Sequence, residues 1–440
     1  MPSVISTTHD TITKFTNCRL VKGDELVEQD LWVSSGTGKI IRSQEAFYSS
    51  HTVPTKTVDL GGRIISPGLI DVQLNGAFGF NFSTIPSDPS SYGKLLRQVN
   101  KSLVQTGVTS YLPTLTSSPP EVYHQALPFL GPSGSQRLAS DGAESLGAHC
   151  EGPFLNPTKN GIHPLEVLTT AHSLSDLETI YGSSNLYPTH QNGLLTPPKI
   201  RKLTVAPELG SMTTLIPHLV TNNTIISLGH TAATYEDASL AISAGATMIT
   251  HLFNAMAPLH HRNPGVFGVL GAAESVPRPY YGVIADGIHL HPASVKIAWN
   301  AHPEGFILVS DAMHLVGLPD GVYEWGEGGR EMLRKVGDRL VLEGTEKIAG
   351  SSLPLLSCVS NFLSYTGCTI PQALKAVTAT PAAMLGLQGV KGCLESDADA
   401  DLVVLSEEIH EDGEGHRRKR LVVDQVWKFG GCVGGGDGDE

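Results

Sequence analysis

The sequence predicts an α/β protein, a (β/α)8 TIM-like barrel with a smaller β-domain built from both termini. Eight short apolar runs, each ending in polar residues and followed by a stretch of helical period, fall between residues 68 and 313; that count and spacing is the arithmetic of a (β/α)8 barrel. The runs are near-continuous rather than alternating, the pattern of strands buried on both faces of a parallel sheet. At 1–66 and again at 390–430, outside the 67–389 barrel, strand-like pieces alternate with turn residues, which reads as a discontinuous β-domain. A doubly wound sheet is the rival, but its GxGxxG loop is missing after the first strand.

In chain order, residues 13–65 supply KFTNCRLV, ELVEQDLWVSS and KIIRS to the terminal β-domain. The barrel strands are then expected at 68–76, 110–116, 145–152, 202–208, 224–230, 246–254, 280–287 and 305–313. The clearest intervening helix spans 234–244: Thr234 and Asp237 form a capping-box pair, apolar residues recur at helical spacing, and Gly245 stops it. The longest gap between strands, 152–202, contains Ser183-Ser184-Asn185, Gln191-Asn192-Gly193 and Pro197-Pro198. It reads as a surface excursion on the C-terminal face, where barrels build their sites. ADLVVL and RLVVDQVWKFG, from 400 onward, complete the terminal domain, and residues 431–440 are a Gly/Asp tail expected to be disordered.

Composition excludes several classes. Asp plus Glu number 43 and Lys plus Arg 30, a formal charge of −13, which disfavours nucleic acid as a partner. No apolar run approaches the ~18 residues of a membrane-spanning helix. The six cysteines are dispersed, with no CxxC pair, and read as reduced thiols. The N-terminus lacks the basic and apolar regions of a leader, so a cytoplasmic location is expected.

The residues that carry chemistry stand where predicted strands run out: His149-Cys150-Glu151, Gly229-His230, Thr250-His251, Asp286-Gly287-Ile288-His289 and Ser310-Asp311. Strand C-termini of a parallel barrel converge on one pocket, which brings Glu151, His230, His251 and Asp311 together. Two imidazoles and one carboxylate are the set that holds a catalytic divalent metal with one position open.

Together with Pro67-Gly68-Leu69-Ile70-Asp71, Leu252-Phe253-Asn254-Ala255-Met256 and Ala400-Asp401-Leu402-Val403-Val404, these segments resemble the amidohydrolase superfamily. His149-Cys150-Glu151-Gly152-Pro153-Phe154-Leu155-Asn156, Gly161-Ile162-His163, Arg262-Asn263-Pro264-Gly265 and Ala285-Asp286-Gly287-Ile288-His289 are similar to its sugar-phosphate deacetylases. The resemblance implies a deformed (β/α)8 TIM-like barrel with a smaller β-sandwich domain, and hydrolysis of the acetamide of N-acetylglucosamine 6-phosphate to glucosamine 6-phosphate and acetate, by a homodimer with a small-molecule substrate. It assigns the metal to Glu151, His230 and His251, the general base then acid to Asp311, and a donor to the developing oxyanion to His163. It assigns substrate contacts to Asn254, Ala255, Arg262, Asp286, His289, Ile348, Ala349 and Gly350; Ile162, at a loop position where similar proteins often carry a small or polar residue, is expected to border the N-acyl group of the substrate. Arg262, reaching across to the neighbouring subunit, suits a phosphate because its planar fork makes two charge-assisted hydrogen bonds.

Most amidohydrolases end the first strand in His-x-His to hold a second metal, whereas this chain has Gln73-Leu74-Asn75. Amides are poor ligands beside imidazole, so one ion is expected, Zn²⁺ first, with Fe²⁺, Co²⁺ and Mn²⁺ compatible with the same donors. His149, on the same strand face as Glu151, reads as a residue that packs behind or supports the ligands, with direct participation as the alternative. Asp397 stands where similar proteins usually carry Gly, which predicts a turn with positive φ. Two other functions were weighed. A hydrolase of cyclic amides or ureides needs a second metal and a modified lysine on strand four, which here ends in Pro207-Glu208; a non-catalytic scaffold would be expected to have lost one of Glu151, His230, His251 and Asp311.

Overall fold

The computed structural model describes residues 11–42, 48, 53–191, 194–273, 276–325, 331–411 and 417–435. Eight parallel strands follow one another around a barrel in sequence order: Leu69–Leu74, Val108–Thr116, Ala148–Glu151, Ile200–Val205, Ile225–Leu228, Met248–Ile249, Tyr280–Val283 and Phe306–Leu308. They are called barrel strands one to eight below. Closure is made at the rim, where Leu74 bridges Ala312 and the Asp311 and Asn75 N–H groups donate to Gln73 and Ala312 oxygens. Inward and outward faces are both buried along strand one and most of strand two, as a sheet covered by helices requires. Barrel strand six is shorter than its sequence pattern because His251, Phe253 and Ala255 take positive φ and the chain leaves the sheet. The helix Tyr235–Ser243 carries the expected capping box of Thr234 and Asp237.

The termini form two further sheets. One orders Lys39–Ile41, Leu31–Ser34, Ile12–Thr16 and Lys56–Asp59; the other orders Gly431–Gly434, Arg417–Lys428, Leu402–Glu411, Ile64–Pro67, Arg19–Lys22 and Glu25–Glu28. Their inner faces share a core of Phe15, Leu20, Val33, Ile65, Leu402, Val404 and Trp427. Phe15 meets the Trp427 ring edge-on at 4.8 Å, a favoured aromatic geometry.

The expected disordered tail needs correcting for its first residues. Gly431–Gly434 pairs antiparallel with Arg417–Lys428, because Phe429 and Gly430 both take positive φ and close a tight hairpin turn. Residues 436–440 lie outside the described residues. Asp397 adopts the positive φ its turn was expected to need, at 68°. In the excursion after barrel strand three, Thr189–Gln191 and Leu194–Thr196 pair as a small hairpin.

Where the terminal sheets meet the barrel, Lys391 and Lys428 are buried among Glu144, Asp399 and Asp401. Lys428 contacts Glu144 at 2.5 Å and Asp401 at 2.8 Å; Lys391 contacts Asp399 at 2.8 Å, Asp401 at 2.9 Å and also Glu144. Lys39 and Arg137 add cations on Asp399 at 2.7 and 2.9 Å, so the three carboxylates are matched by side-chain cations and this cluster is a joint rather than a metal site.

One layer was not foreseen in the sequence. After barrel strand eight, Gly321–Trp325, Glu331–Val336, Arg339–Leu342 and Ile348–Ser351 form an antiparallel sheet. Ser351 bridges Ala312, and Met313 N–H donates to the Ser351 oxygen, which lays the sheet across the barrel mouth. No helix among the described residues is long and apolar enough to cross a membrane.

Candidate active site

Parallel strands in register end at one level, so their last polar residues meet at the rim. Glu151 ends barrel strand three, paired with Thr116 on one side and Thr204 on the other. His230, His251 and Asp311 follow strands five, six and eight, and all three take positive φ, at 48°, 26° and 45°. Non-glycine residues adopt that region uncommonly, Asn, Asp and His more often than the rest. It persists only where the surroundings over-determine it, as at sites whose geometry matters more than local stability.

The side chains converge. His251 Nε2 lies 2.9 Å and His230 Nε2 3.4 Å from Glu151 Oε1, and the two Nε2 atoms are 3.0 Å apart. His230 Nδ1–H donates to the Lys159 carbonyl oxygen at 2.8 Å, so its Nε2 lone pair faces Glu151 and His251. That hydrogen bond to a backbone carbonyl is the arrangement that orients a metal-ligating imidazole. Glu151, His163 and His230 each also offer a ligand atom within 4.8 Å of the others. Buried imidazole nitrogens and a carboxylate oxygen gathered this closely fit a divalent metal ion.

His163 is fixed in one tautomer. Its Nδ1 accepts the Ser117 N–H at 3.2 Å and lies 2.8 Å from Ser117 Oγ, which puts the ring proton on Nε2. Burial drives its pKa down to about 3, with His230 adding to the effect, so it is a neutral donor at ordinary pH. Glu151 is pushed up by burial, but the adjoining His230 and His251 imidazoles outweigh this and hold it well below the usual carboxylate range. Burial raises Asp311, and the neighbouring Glu151 carboxylate raises it further.

Gln73 and Asn75 have a clear task. Asn75 Nδ2 donates to Asp311 Oδ1 at 2.8 Å, and Gln73 Nε2 donates to the same oxygen at 3.2 Å and to Glu151 Oε1 at 3.1 Å. Asp311 Oδ2 is thereby left for other work. Below it, Ser310 Oγ–H donates to Asp71 Oδ2 at 2.5 Å, which ties strand eight to strand one. His149 is fully buried between Thr114 Oγ1 at 3.1 Å and Thr204 Oγ1 at 2.7 Å, in keeping with a packing role. Strand four does contain an inward lysine, which reading only its polar end missed. Lys202 is wholly buried, donates to the Val72 oxygen at 2.8 Å, and is pushed down to about 8 by burial.

These groups face a cavity of about 220 Å³. Of the sequence-predicted residues, Glu151, Ile162, His163, His230, His251, Asn254, Ala255, His289, Asp311, Ile348 and Gly350 line it. Three do not. Asp286 stands behind His289 and accepts its Nδ1–H at 2.6 Å. Ala349 is buried instead in a cluster with Met313, Leu315, Leu333 and Leu340. Arg262 is exposed, its Nε 3.2 Å from His261 Nε2. Lys347, Met313, Thr116 and Ile284 line the cavity without having been singled out; each lacks a motif, and only the fold of the covering sheet and neighbouring strands brings it there. Gly161 is required beneath His230: its φ is +60° and a Cβ would meet His230 Cε1 at 3.2 Å.

The comparisons with known proteins agree with this geometry. The sequence profile of the amidohydrolase family matches residues 64–431. The chain is 40% identical over 405 residues to N-acetylglucosamine-6-phosphate deacetylase of Mus musculus, covering 91% of this chain and 93% of the relative. It is 30% identical over 375 residues to N-acetylgalactosamine-6-phosphate deacetylase of Escherichia coli O157:H7, covering 85% and 89%. A solved structure of a variant N-acetyl-D-glucosamine-6-phosphate deacetylase from Mycobacterium smegmatis, in complex with N-acetyl-D-glucosamine-6-phosphate, superposes with a TM-score of 0.74 at 25% identity, covering 96% of this chain and 99% of that one. With the barrel, the strand-end donors and these matches in agreement, the chain belongs to the amidohydrolase family, on the branch that holds the N-acetylglucosamine-6-phosphate deacetylases.

Proposed function

We propose that the chain removes the acetyl group of N-acetylglucosamine 6-phosphate, giving glucosamine 6-phosphate and acetate. The observation that carries the reading is the convergence of Glu151, His230, His251 and Asp311 in one cavity. Glu151, His230 and His251 would hold one divalent ion, Zn²⁺ first among those the donors accept. Such an ion supplies positive charge that polarises the amide carbonyl and makes water more acidic. Support for a single ion comes from Gln73 and Asn75, whose NH₂ groups are spent on Glu151 and Asp311.

Asp311 takes the proton of the attacking water on Oδ2 while its Oδ1 stays fixed by the two amides. As the tetrahedral carbon forms, His163 Nε2–H donates to the oxygen that gains charge. Asp311 then returns the proton to nitrogen as the C–N bond breaks, releasing amine and acetate. Ile162 borders the N-acyl group, while Asn254, Ala255, His289, Ile348 and Gly350 surround the sugar phosphate. Asp286 orients His289, and Ala349 holds its strand in place. Arg262 reaches the phosphate from a second copy of the chain, consistent with its position outside this chain's own cavity. Free thiols at all six cysteines suit a cytoplasmic enzyme.

Acetate release from N-acetylglucosamine 6-phosphate tests the reading, with the unphosphorylated sugar as control. Substantial turnover of the phosphorylated sugar and little of the other is expected; equal rates would reject the sugar-phosphate assignment.

A further inference from the structure

We propose that Lys347 is a specificity-determining residue of this cavity, a cation from the chain's own covering sheet that recognises the substrate's phosphate. The proposal rests on the reading above that the substrate is a sugar phosphate, and it adds a residue that neither the motifs nor the covering sheet's position had assigned.

Lys347 lines the same cavity as Glu151, His230, His251 and Asp311. It stands immediately before Ile348–Ser351, in the turn leading from Arg339–Leu342. Its N–H donates to Thr345 Oγ1 at 3.1 Å and its carbonyl accepts from Leu342 N–H at 3.0 Å, so the backbone that carries it is anchored on both sides. Two other cations of the sheet are spent on carboxylates: Arg334 on Glu343 at 2.5 Å, and Arg339 on Glu346. Lys347 makes no ion pair with a carboxylate among the described residues.

The charge balance of the cavity gives this significance. Glu151 and Asp311 place two carboxylates at its floor, and His289 is matched by Asp286 at 2.6 Å. Arg262 is exposed and does not line the cavity. Among the described lining residues Lys347 is therefore the cation without a matching anion, and it is the one positive side chain this chain's own cavity offers an incoming phosphate beside the Arg262 of a second copy. An ammonium on a flexible stem binds phosphate as a point charge. Being exposed, it loses little hydration before the ligand arrives.

The test uses the full-length, metal-loaded protein and its Lys347→Met and Lys347→Arg variants. For each, kcat/KM is measured on N-acetylglucosamine 6-phosphate and on N-acetylglucosamine, and the ratio of the two is taken. Losing a charge-assisted contact should lower that ratio about tenfold or more in Lys347→Met, chiefly through KM for the phosphorylated sugar, and Lys347→Arg should restore most of it. A role in holding the sheet would depress both substrates alike and leave the ratio unchanged, which would overturn the proposal. If the wild-type protein itself shows no preference for the phosphorylated sugar, the substrate reading fails and the proposal with it. A wild-type preference that Lys347→Met keeps in full defeats the Lys347 assignment alone.

Discussion

Asp311 receives two amide hydrogens on one carboxylate oxygen, an asymmetry that anchors Oδ1 and leaves Oδ2 for the proposed proton transfer. Asp311→Asn keeps the shape and loses the proton acceptor. Turnover should fall by about 10²- to 10⁴-fold, the usual worth of general acid–base catalysis, with metal content unchanged by elemental analysis; a near-normal rate would show another base at work. His163 gives a complementary test. Its pKa is lowered from the ordinary imidazole value to about 3, so protonation, which would spoil the Ser117 interaction, occurs only near that acidity. Between pH 5 and 9 the donor stays neutral, so His163→Asn should lower kcat by about 10²- to 10³-fold without moving either limb of the pH–rate profile. A shifted acid limb would mean that His163 itself titrates in turnover. The meeting of Glu151, His230, His251 and Asp311 in one cavity was legible because each ends an apolar run. The clamp on Asp311 was not, since Gln73 and Asn75 stand more than 230 positions away in sequence. The tautomer of His163 was not either, because it depends on a backbone N–H at Ser117.

At the scale of elements, the covering sheet completes the site. Gly350, in its last strand, has φ +98°, and a Cβ there would meet Met313 Cγ at 2.6 Å. Gly350→Ala adds that clash to a conformation costing roughly 1–3 kcal/mol for an L-residue. It should displace Ile348 and Lys347 and reduce kcat/KM by about tenfold or more, while the barrel's unfolding transition changes little. An unchanged kcat/KM would show that the strand does not border substrate. The eight barrel strands could be read from sequence because burial on both faces writes an unbroken apolar run. The covering sheet could not: Gly321–Trp325 has no buried residue, and Arg339–Leu342 has only Leu340 fully buried. Strands of that kind leave a weak alternating signal, so the segment between 314 and 347 gave no fold until its pairing was seen.

For the molecule as a whole, the termini and barrel are pinned by buried charge. Burial works against Asp401 ionising, but Lys391 and Lys428 hold its carboxyl well below the ordinary range. A carboxyl so depressed contributes stability that is present above its unfolded pKa and lost as pH falls toward its folded one. The stabilisation should therefore be complete at neutral pH and fade below about pH 4. Lys428→Met leaves Glu144 and Asp401 with one cation fewer, and removal of one partner of a buried pair costs about 3–5 kcal/mol; chemical denaturation that shows a loss below 1 kcal/mol would contradict the joint's importance. The formal charge of −13 repels an anionic substrate at long range, but screening confines that repulsion to about 8 Å at physiological ionic strength. Under the proposed function, local groups, Lys347 and the Arg262 of a second copy among them, then decide binding. The central claim is metal-dependent deacetylation of a sugar phosphate, and one measurement meets it most directly: acetate release from N-acetylglucosamine 6-phosphate by the purified chain before chelation, after chelation, and after a divalent ion is restored. Turnover that is lost with the metal and regained with it is the predicted result; turnover that persists undiminished in the metal-free protein would contradict the account.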